Sequence, residues 1–140
     1  MRKILSITVI MMLIFAGCKA DTTTQFVDSS STAETEESGY EQISMEEAQR
    51  IMDTEDNIII LDVRTQQEFD EGHIPNAICV PNETITGESI PELPDKQQII
   101  LVYCRSGRRS KEARRKLSSY GYTNIKEFGG IIDWTGEVIK

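Results

Sequence analysis

The 140-residue sequence has few of the residues that build metal clusters and disulfide scaffolds, since it contains three cysteines and one histidine. That number is too small for a disulfide framework or a Cys/His zinc cluster, and we expect no metal site. Basic residues are also in the minority, with 15 Lys and Arg against 23 Asp and Glu and a formal net charge of -8. Domains that bind nucleic acid are basic as a rule, so we expect no nucleic acid as a partner.

Long hydrophobic runs are also scarce, and the one that is present lies at the N-terminus. Residues 4–15 form an apolar run after two basic residues. The run is too short to cross a hydrocarbon core of about 30 Å, but it is typical of the central part of a signal peptide. The segment FAGC, which ends at Cys18, resembles a bacterial lipobox, in which the cysteine is lipidated. A plain secretory signal peptide followed by a chance cysteine is the alternative.

We therefore expect 1–17 to be a lipoprotein signal peptide and Cys18 to carry acyl chains such as palmitate. The lipid would anchor the chain to the cell membrane on its extracytoplasmic face. Residues 19–39 contain nine Ser or Thr and five Asp or Glu. Such a segment cannot bury enough apolar surface to offset its conformational entropy. Together with the lipidated cysteine, 18–39 is thus predicted to be a disordered acidic tether, and 40–140 to be the folded domain.

Within 40–140, short apolar runs alternate with segments of helical periodicity. The run at 57–61 is continuous and rich in β-branched residues, as in a strand buried on both faces. Strands that alternate with helices indicate an α/β fold with a largely parallel sheet. The predicted strands span 57–61, 78–80, 99–103 and 125–128, and the predicted helices span 45–54, 65–72, 110–120 and a segment that begins at 131.

Ligands in such sheets bind beyond the carboxyl ends of the strands, which directs attention to the segment after the third predicted strand. There Cys104 leaves a buried strand, a turn with Gly107 follows, and a helix begins. Backbone N–H groups and a helix N-terminus together favour a thiolate and hold an anion beside it. We therefore predict that Cys104 is a nucleophile. The candidate anion-binding residues of the loop are Arg105, Ser106, Gly107, Arg108 and Arg109.

The charge distribution supports this interpretation, because 105–116 contains seven Lys or Arg and one Glu in an otherwise acidic domain. The alternative is a buried structural cysteine followed by a solvated basic helix face. Two other residues are interpreted as structural. Cys79 lies within an apolar strand and is predicted to be a small core residue rather than a resolving cysteine. His73 is predicted to be packed rather than to act as a base.

Four segments in order resemble a single-domain rhodanese, a sulfurtransferase: LDVRTQQEFDEGHIPNA, Val80-Pro81, YCRSGRRS and GGIIDW. The resemblance covers nearly all of 40–140 and implies a five-stranded, largely parallel sheet with helices on both faces. It also implies that Cys104 carries a persulfide in the loop 105–109. Asp62 and Arg64 match the Asp-x-Arg of the family, and Glu68 is predicted to be the partner of Arg64. These three are expected to support the loop rather than to take part in the chemistry.

The resemblance further implies a reaction that needs no cofactor. Cys104 would take a sulfane sulfur from a small anion such as thiosulfate and pass it to a thiol acceptor, or to cyanide in an assay. A persulfide relay or protein-binding module with little thiosulfate turnover is the main alternative. A phosphatase or arsenate reductase with a related loop is less consistent, since those phosphatases have five residues between cysteine and arginine and this loop has four. We expect a monomer.

Overall fold

The structure is a computed structural model that describes residues 40–140. The predicted signal peptide, the lipid-bearing Cys18 and the tether lie outside the described residues. Among the helices that the structure describes, none is long and apolar enough to cross a membrane. The elements are β1 Tyr40–Gln42, α1 Met45–Thr54, β2 Ile58–Asp62, α2 Gln66–Glu71, β3 Ala77–Cys79, β4 Ile99–Cys104, α3 Arg108–Ser119 and β5 Ile125–Gly130, with 3-10 turns at Asn82–Thr84 and Ile131–Asp133.

The five strands form one sheet in the order β1-β5-β4-β2-β3, and all neighbouring pairs are parallel. The predicted α/β class and the parallel sheet are thus confirmed. The central strand β4 and its neighbour β2 are the apolar runs that the sequence marks as buried on both faces. Parallel neighbours need crossover connections, which the helices supply.

Alternation along β4 shows how the two faces of the sheet are covered. Ile100, Val102 and Cys104 belong to a hydrophobic cluster that includes Ala113 and Leu117 of α3. The intervening β4 residues pack with residues of α1 in a second cluster. Side chains of a strand alternate between the two faces, so α3 and α1 cover opposite faces. The Cys104 side chain lies on the face that α3 covers.

The carboxyl ends of the strands come together at one edge of the sheet. Asp62, the last residue of β2, is opposite Tyr103 in β4, and Cys104 is opposite Gly130 at the end of β5. The pairing of β4 with β5 is irregular between Val102 and Cys104. This edge therefore holds the predicted nucleophile and one of the predicted supporting residues.

Three features differ from the sequence-based prediction. Strand β1 has no strong local signal, because its three residues are defined by pairing with β5 at the sheet edge. Helix α3 begins at Arg108 rather than at 110, because Gly107 takes a left-handed conformation and lets the helix start directly after the turn. The last predicted helix is only the 3-10 turn Ile131–Asp133. The chain beyond it is drawn into extended pairing, since Ile139 and His73 exchange two backbone hydrogen bonds.

Candidate active site

Cys104 is the last residue of β4, and its side chain is 1% exposed. The Gly107 backbone N–H donates a hydrogen bond to Cys104 Sγ at 3.1 Å, and the Ser110 hydroxyl oxygen lies 3.7 Å from the same sulfur. The sulfur therefore lies beneath the short loop 105–107 and against the first turn of α3. This is the placement that the sequence predicts for it.

The surroundings of Cys104 favour its thiolate form. Burial acts to raise the pKa of the thiol, but hydrogen bonds from the backbone N–H groups of Ser110, Ser106 and Gly107 and from the Ser110 hydroxyl outweigh it. The pKa of Cys104 is consequently below that of an ordinary cysteine. The N-terminus of α3 faces the same sulfur with its positive end. A thiolate held in this way is the form in which cysteine is nucleophilic.

Two glycines make the close approach of the loop possible. Gly107 has φ +92°, a left-handed conformation that other residues adopt at a cost. Gly130 has no space for a side chain, because a Cβ there would overlap the Arg105 carbonyl oxygen and the Ser106 Cα. The Ile132 N–H donates to that same carbonyl oxygen at 3.2 Å. The loop thus rests on the Gly-Gly at the end of β5.

Arg109, one of the candidate anion-binding residues of the loop, is held by Glu68 in a bidentate ion pair. Its two terminal nitrogens donate to the Glu68 carboxylate at 2.6 and 2.8 Å, and the side chains are 15% and 25% exposed. The same carboxylate accepts the Thr65 N–H at 3.1 Å and completes a capping box at the start of α2. Helix α2 is therefore tied to the first turn of α3.

This pairing corrects the prediction that Glu68 would be the partner of Arg64. Arg64 pairs with Asp62, which is two residues away, by three side-chain hydrogen bonds of 2.6 to 3.0 Å. Its guanidinium also donates to the Gly72 carbonyl oxygen at 2.7 Å. The capping box turns Glu68 towards α3 instead. Asp62 is opposite Tyr103 in the sheet, and Tyr103 directly precedes Cys104. The buried Asp62–Arg64 pair therefore lies beside the end of β4 and supports the base of the loop.

The remaining loop residues differ in their exposure. Arg105, Ser106 and Arg108 are exposed, whereas Gly107 is buried. Since the charge of Arg109 is balanced by Glu68, the unbalanced positive charge at the opening comes from Arg105 and Arg108. All five candidate loop residues are thus placed around Cys104, but in two different roles.

His73 is packed, as the sequence predicts, whereas Cys79 is half-buried on β3 and is not the core residue that the sequence predicts. The Cys79 thiol is 3.6 Å from the Arg64 carbonyl oxygen, and burial together with the charge of Asp62 raises its pKa to about 11. His73 Nδ1 lies 2.9 Å from the Phe69 carbonyl oxygen, and the two rings are stacked with centroids 3.7 Å apart. Cys79 therefore stays a thiol, and the His73 ring is engaged with α2.

Sequence reasoning missed two residues at this site, Ser110 and Glu127. Ser110 is fully buried and contacts Cys104, although it was predicted only as the start of a helix. Glu127 of β5 is also fully buried, and its Oε1 accepts the Ser110 hydroxyl at 2.6 Å and the Gly129 N–H at 3.0 Å. An available signal is that Glu127 is an acid two residues from Ile125, on the same inward-facing side of a predicted strand.

In residues 40–140, no cluster of three or more His, Cys, Asp or Glu side chains is arranged to hold a metal ion. The chemistry that this arrangement supports directly is that of an activated thiolate beside an anion-binding loop.

We expect Glu68→Gln to lower the free energy of unfolding at neutral pH by about 1–2 kcal/mol after allowance for solvent screening. The hydrogen bonds from Arg109 lower the pKa of Glu68 to about 2 from an ordinary 4.5. A lowered carboxyl pKa stabilises the folded state above pH 4.5, and the contribution is lost as the pH falls towards 2. Urea unfolding of both proteins at several pH values should show their difference shrinking over this interval.

The matched control is Glu71→Gln, which removes an exposed carboxylate from the same helix. It should change stability by a few tenths of a kcal/mol at most. A difference between Glu68→Gln and the wild type that is the same at neutral and acid pH would contradict the role of the ion pair.

Comparison with known proteins agrees with this geometry. Residues 44–137 match the family model of the rhodanese-like domain. A sulfurtransferase of Allochromatium vinosum is 40% identical over 88 residues, which cover 62% of this chain and 79% of that protein. The thiosulfate:glutathione sulfurtransferase of Saccharomyces cerevisiae is 32% identical over 111 residues, with 69% and 79% of the two chains covered.

A solved structure described as rhodanese with anions, from E. coli, superposes with a TM-score of 0.55 at 31% identity. The superposition covers 59% of this chain and 98% of that one. The family match spans well over half of the chain. This chain therefore belongs to the rhodanese-like family, has the single-domain rhodanese fold and is a sulfurtransferase by the homology of its relatives.

Proposed function

We propose that this protein is a lipid-anchored, extracytoplasmic sulfurtransferase of the thiosulfate class, which moves sulfane sulfur through a persulfide on Cys104. The observation that carries the proposal is the position of the Cys104 sulfur. The sulfur accepts hydrogen bonds from backbone N–H groups at the start of α3. These hydrogen bonds lower the pKa of the thiol although the side chain is buried. Two arginines of the same loop, Arg105 and Arg108, are exposed.

The reaction consists of two displacements at sulfur. In the first, the Cys104 thiolate attacks the sulfane sulfur of thiosulfate, the S–S bond of the donor breaks, and sulfite leaves with the bonding electrons. In the second, an acceptor thiolate attacks the outer sulfur of the persulfide, and Cys104 leaves as thiolate. The loop N–H groups stabilise the anionic sulfur in both steps. Neither step needs an external oxidant, because the sulfane sulfur carries its oxidation state from donor to acceptor.

Charge at the loop opening suits small anionic donors. Arg105 and Arg108 supply the unbalanced positive charge, whereas Arg109 holds the loop to α2 through Glu68. The rest of the domain is acidic, so an anion is favoured here over other parts of the surface. The names of relatives support the same substrates, since the yeast protein is named for thiosulfate and glutathione and the E. coli structure for its anions.

The proposed location is supported by the sequence features of 1–39 that precede the described domain. The apolar run, the FAGC segment and the acidic Ser/Thr-rich stretch are typical of a lipoprotein signal, a lipidation site and a spacer. A lipid on Cys18 would hold the domain at the outer face of the cell membrane, where small sulfur anions have access to it.

Mass spectrometry of the full-length protein tests the proposed mechanism. After exposure to thiosulfate and removal of excess donor, the peptide with Cys104 should gain one sulfur atom. Addition of cyanide should remove that sulfur as thiocyanate. A Cys79→Ser variant should gain and lose the sulfur as the wild type does, because the raised pKa of Cys79 keeps that residue protonated.

The outcomes separate the proposal from its alternatives. A persulfide that forms but does not pass to cyanide or a small thiol supports a relay that serves a protein acceptor. Failure of Cys104 to gain sulfur from any sulfane donor would rule out the persulfide mechanism.

A further inference from the structure

Glu127 is an acidic residue in the interior of the domain, directly behind the candidate nucleophile. It belongs to β5, its side chain is on the face that α3 covers, and it is 0% exposed. An ideal Cβ at Gly107 would lie 3.9 Å from its Oε1, which places the carboxyl group beneath the cysteine loop. The two sulfur-transfer steps proposed above do not use this group.

Only one of the two carboxylate oxygens is satisfied. Oε1 accepts the Ser110 hydroxyl and the Gly129 N–H, whereas Oε2 is buried and has no hydrogen-bond partner in the part of the chain that the structure describes. A buried carboxylate anion with a bare oxygen is costly, and the uptake of a proton removes that cost. Glu127 is therefore suited to receive a proton.

Ser110 connects this carboxylate to the sulfur. Its hydroxyl oxygen is 2.6 Å from Glu127 Oε1 and 3.7 Å from Cys104 Sγ. A hydroxyl has one proton to donate and lone pairs that accept. When Ser110 donates to the carboxylate, its oxygen can accept from the Cys104 thiol. When Glu127 is protonated and donates to Ser110, the hydroxyl can turn and donate to the Cys104 thiolate. Cys104, Ser110 and Glu127 can therefore form two hydrogen-bonded arrangements. In one the proton is on the Cys104 sulfur, and in the other it is on the Glu127 carboxylate.

We propose that Glu127 receives the proton of the Cys104 thiol through the Ser110 hydroxyl, so that the thiolate forms without leaving a second negative charge beside it. The Cys104 S–H bond breaks and its proton goes to Ser110 Oγ, while the Ser110 proton goes to Glu127 Oε1. The products are a thiolate, an intact serine and a neutral carboxylic acid. After the sulfur has been transferred to the acceptor, the reverse movement restores the thiol.

The inference rests on the proposed use of Cys104 as the nucleophile, and it adds a charge argument. A thiolate or persulfide anion next to an ionised carboxylate would be disfavoured by like-charge repulsion in a dry interior. Transfer of the proton within the pair keeps one negative charge in total. Because Glu127 reaches the sulfur through Ser110, it is a positioning residue rather than a catalytic one.

Other charged groups near the pair do not replace this role. On α3, Arg109 is paired with Glu68, and Arg114 follows one turn after Ser110. From β1, the neutral Gln42 is opposite Glu127, and the Glu41–Lys126 pair belongs to alternate positions that face the other side of the sheet. Since proton transfer from Cys104 to Glu127 leaves the charge of the pair unchanged, the nearby cations favour both of its forms.

The test is the pH dependence of Cys104 alkylation by iodoacetamide, followed by mass spectrometry on the full-length protein. Two coupled groups lose their protons in two macroscopic steps. The wild type should therefore show a rate that rises, levels off and rises again with pH. Glu127→Gln keeps the shape of the side chain but cannot take the proton, so its rate should rise in one step. Below that step the rate should fall by about tenfold per pH unit.

The two curves should converge at acid pH, where a protonated Glu127 is neutral like glutamine, and the variant should be faster at higher pH, where an ionised Glu127 disfavours the thiolate. Glu112→Gln, which removes a partly exposed acid of α3 that pairs with Lys116, is the matched control and should keep the two-step curve. Ser110→Ala removes the hydroxyl that stabilises the thiolate and should lower the rate on the level part of the curve severalfold. A change in stability alone changes neither the number of steps nor the difference in rate between the two proteins above the first step.

A one-step curve in the wild type overturns the inference, whether or not Glu127→Gln folds. So does a variant curve that is parallel to that of the wild type and merely displaced from it. Persulfide formation is scored separately by mass spectrometry. A protein with a two-step curve and no persulfide would support the proton relay and refute the proposed function, and the opposite combination would do the reverse.

Discussion

Replacing Cys104 by Ser is expected to abolish sulfur transfer and to lower turnover with thiosulfate and cyanide by about a thousandfold or more. A serine hydroxyl at this position stays protonated at neutral pH, since the N–H groups that lower the pKa of the Cys104 thiol cannot bring an alcohol into the same range. An oxygen nucleophile also cannot carry the outer sulfur as a persulfide. Thiocyanate formation by the full-length protein measures the loss.

The substitution should leave the fold intact, because the two side chains have nearly the same size and the N–H groups can donate to either sulfur or oxygen. Circular dichroism and the urea midpoint check this point. The control is Cys79→Ser, which alters the other thiol of the domain, half-buried on β3, and should keep most of the turnover. Turnover that survives in Cys104→Ser would mean that another group accepts the sulfur, and it would remove the basis of the proposed function.

The fold was predictable where local signals are strong. The apolar β-branched runs of β2 and β4 and the turn at Gly107 are properties of neighbouring residues, and the structure has them within a few positions. Strand β1 was not located, because three residues with mixed polarity become a strand only through their partner β5. The resemblance to a known family implied a fifth strand without indicating where it lies.

The site shows the same division between local and distant information. The position of Cys104 follows from its loop, but the choice of partner for Glu68 depends on two segments that are 41 residues apart in sequence. Arg64 and Arg109 are both plausible cations when the sequence is the only guide. In the structure, the capping box directs Glu68 towards α3, where it pairs with Arg109. Arg64 is instead paired with the buried Asp62. Side-chain pairing of this kind is a tertiary property.

These pairings divide the arginines of the site into three functions. Arg64 lies behind the loop, where it neutralises a buried carboxylate, and Arg109 ties the loop to α2. Arg105 and Arg108 are left exposed at the opening. A substitution of Arg64 should therefore act first on stability, whereas substitutions at the opening should act first on the binding of anionic donors.

Arg64→Met is accordingly expected to lower the free energy of unfolding by about 3–5 kcal/mol. The substitution leaves the Asp62 carboxylate, which is 0% exposed, without its cation, and it leaves the Gly72 carbonyl oxygen without the donor at 2.7 Å. Removing one partner of a buried ion pair costs more than the pair itself contributes, because an uncompensated charge remains. The free energy of unfolding of a small domain is about 5–15 kcal/mol in total, so urea unfolding should show that a large part of it is lost.

Arg50→Met is the matched control, since Arg50 pairs with Glu47 on α1 with both side chains largely exposed. Its effect should stay within about 1 kcal/mol. The double variant Asp62→Asn/Arg64→Met should recover part of the stability lost in Arg64→Met, because it removes the stranded charge as well as the cation. If the double variant is less stable than Arg64→Met, the stranded Asp62 charge is not the source of the loss. The cost would then come from the lost packing of the guanidinium, which lies 5.8 Å from the Tyr103 ring centroid.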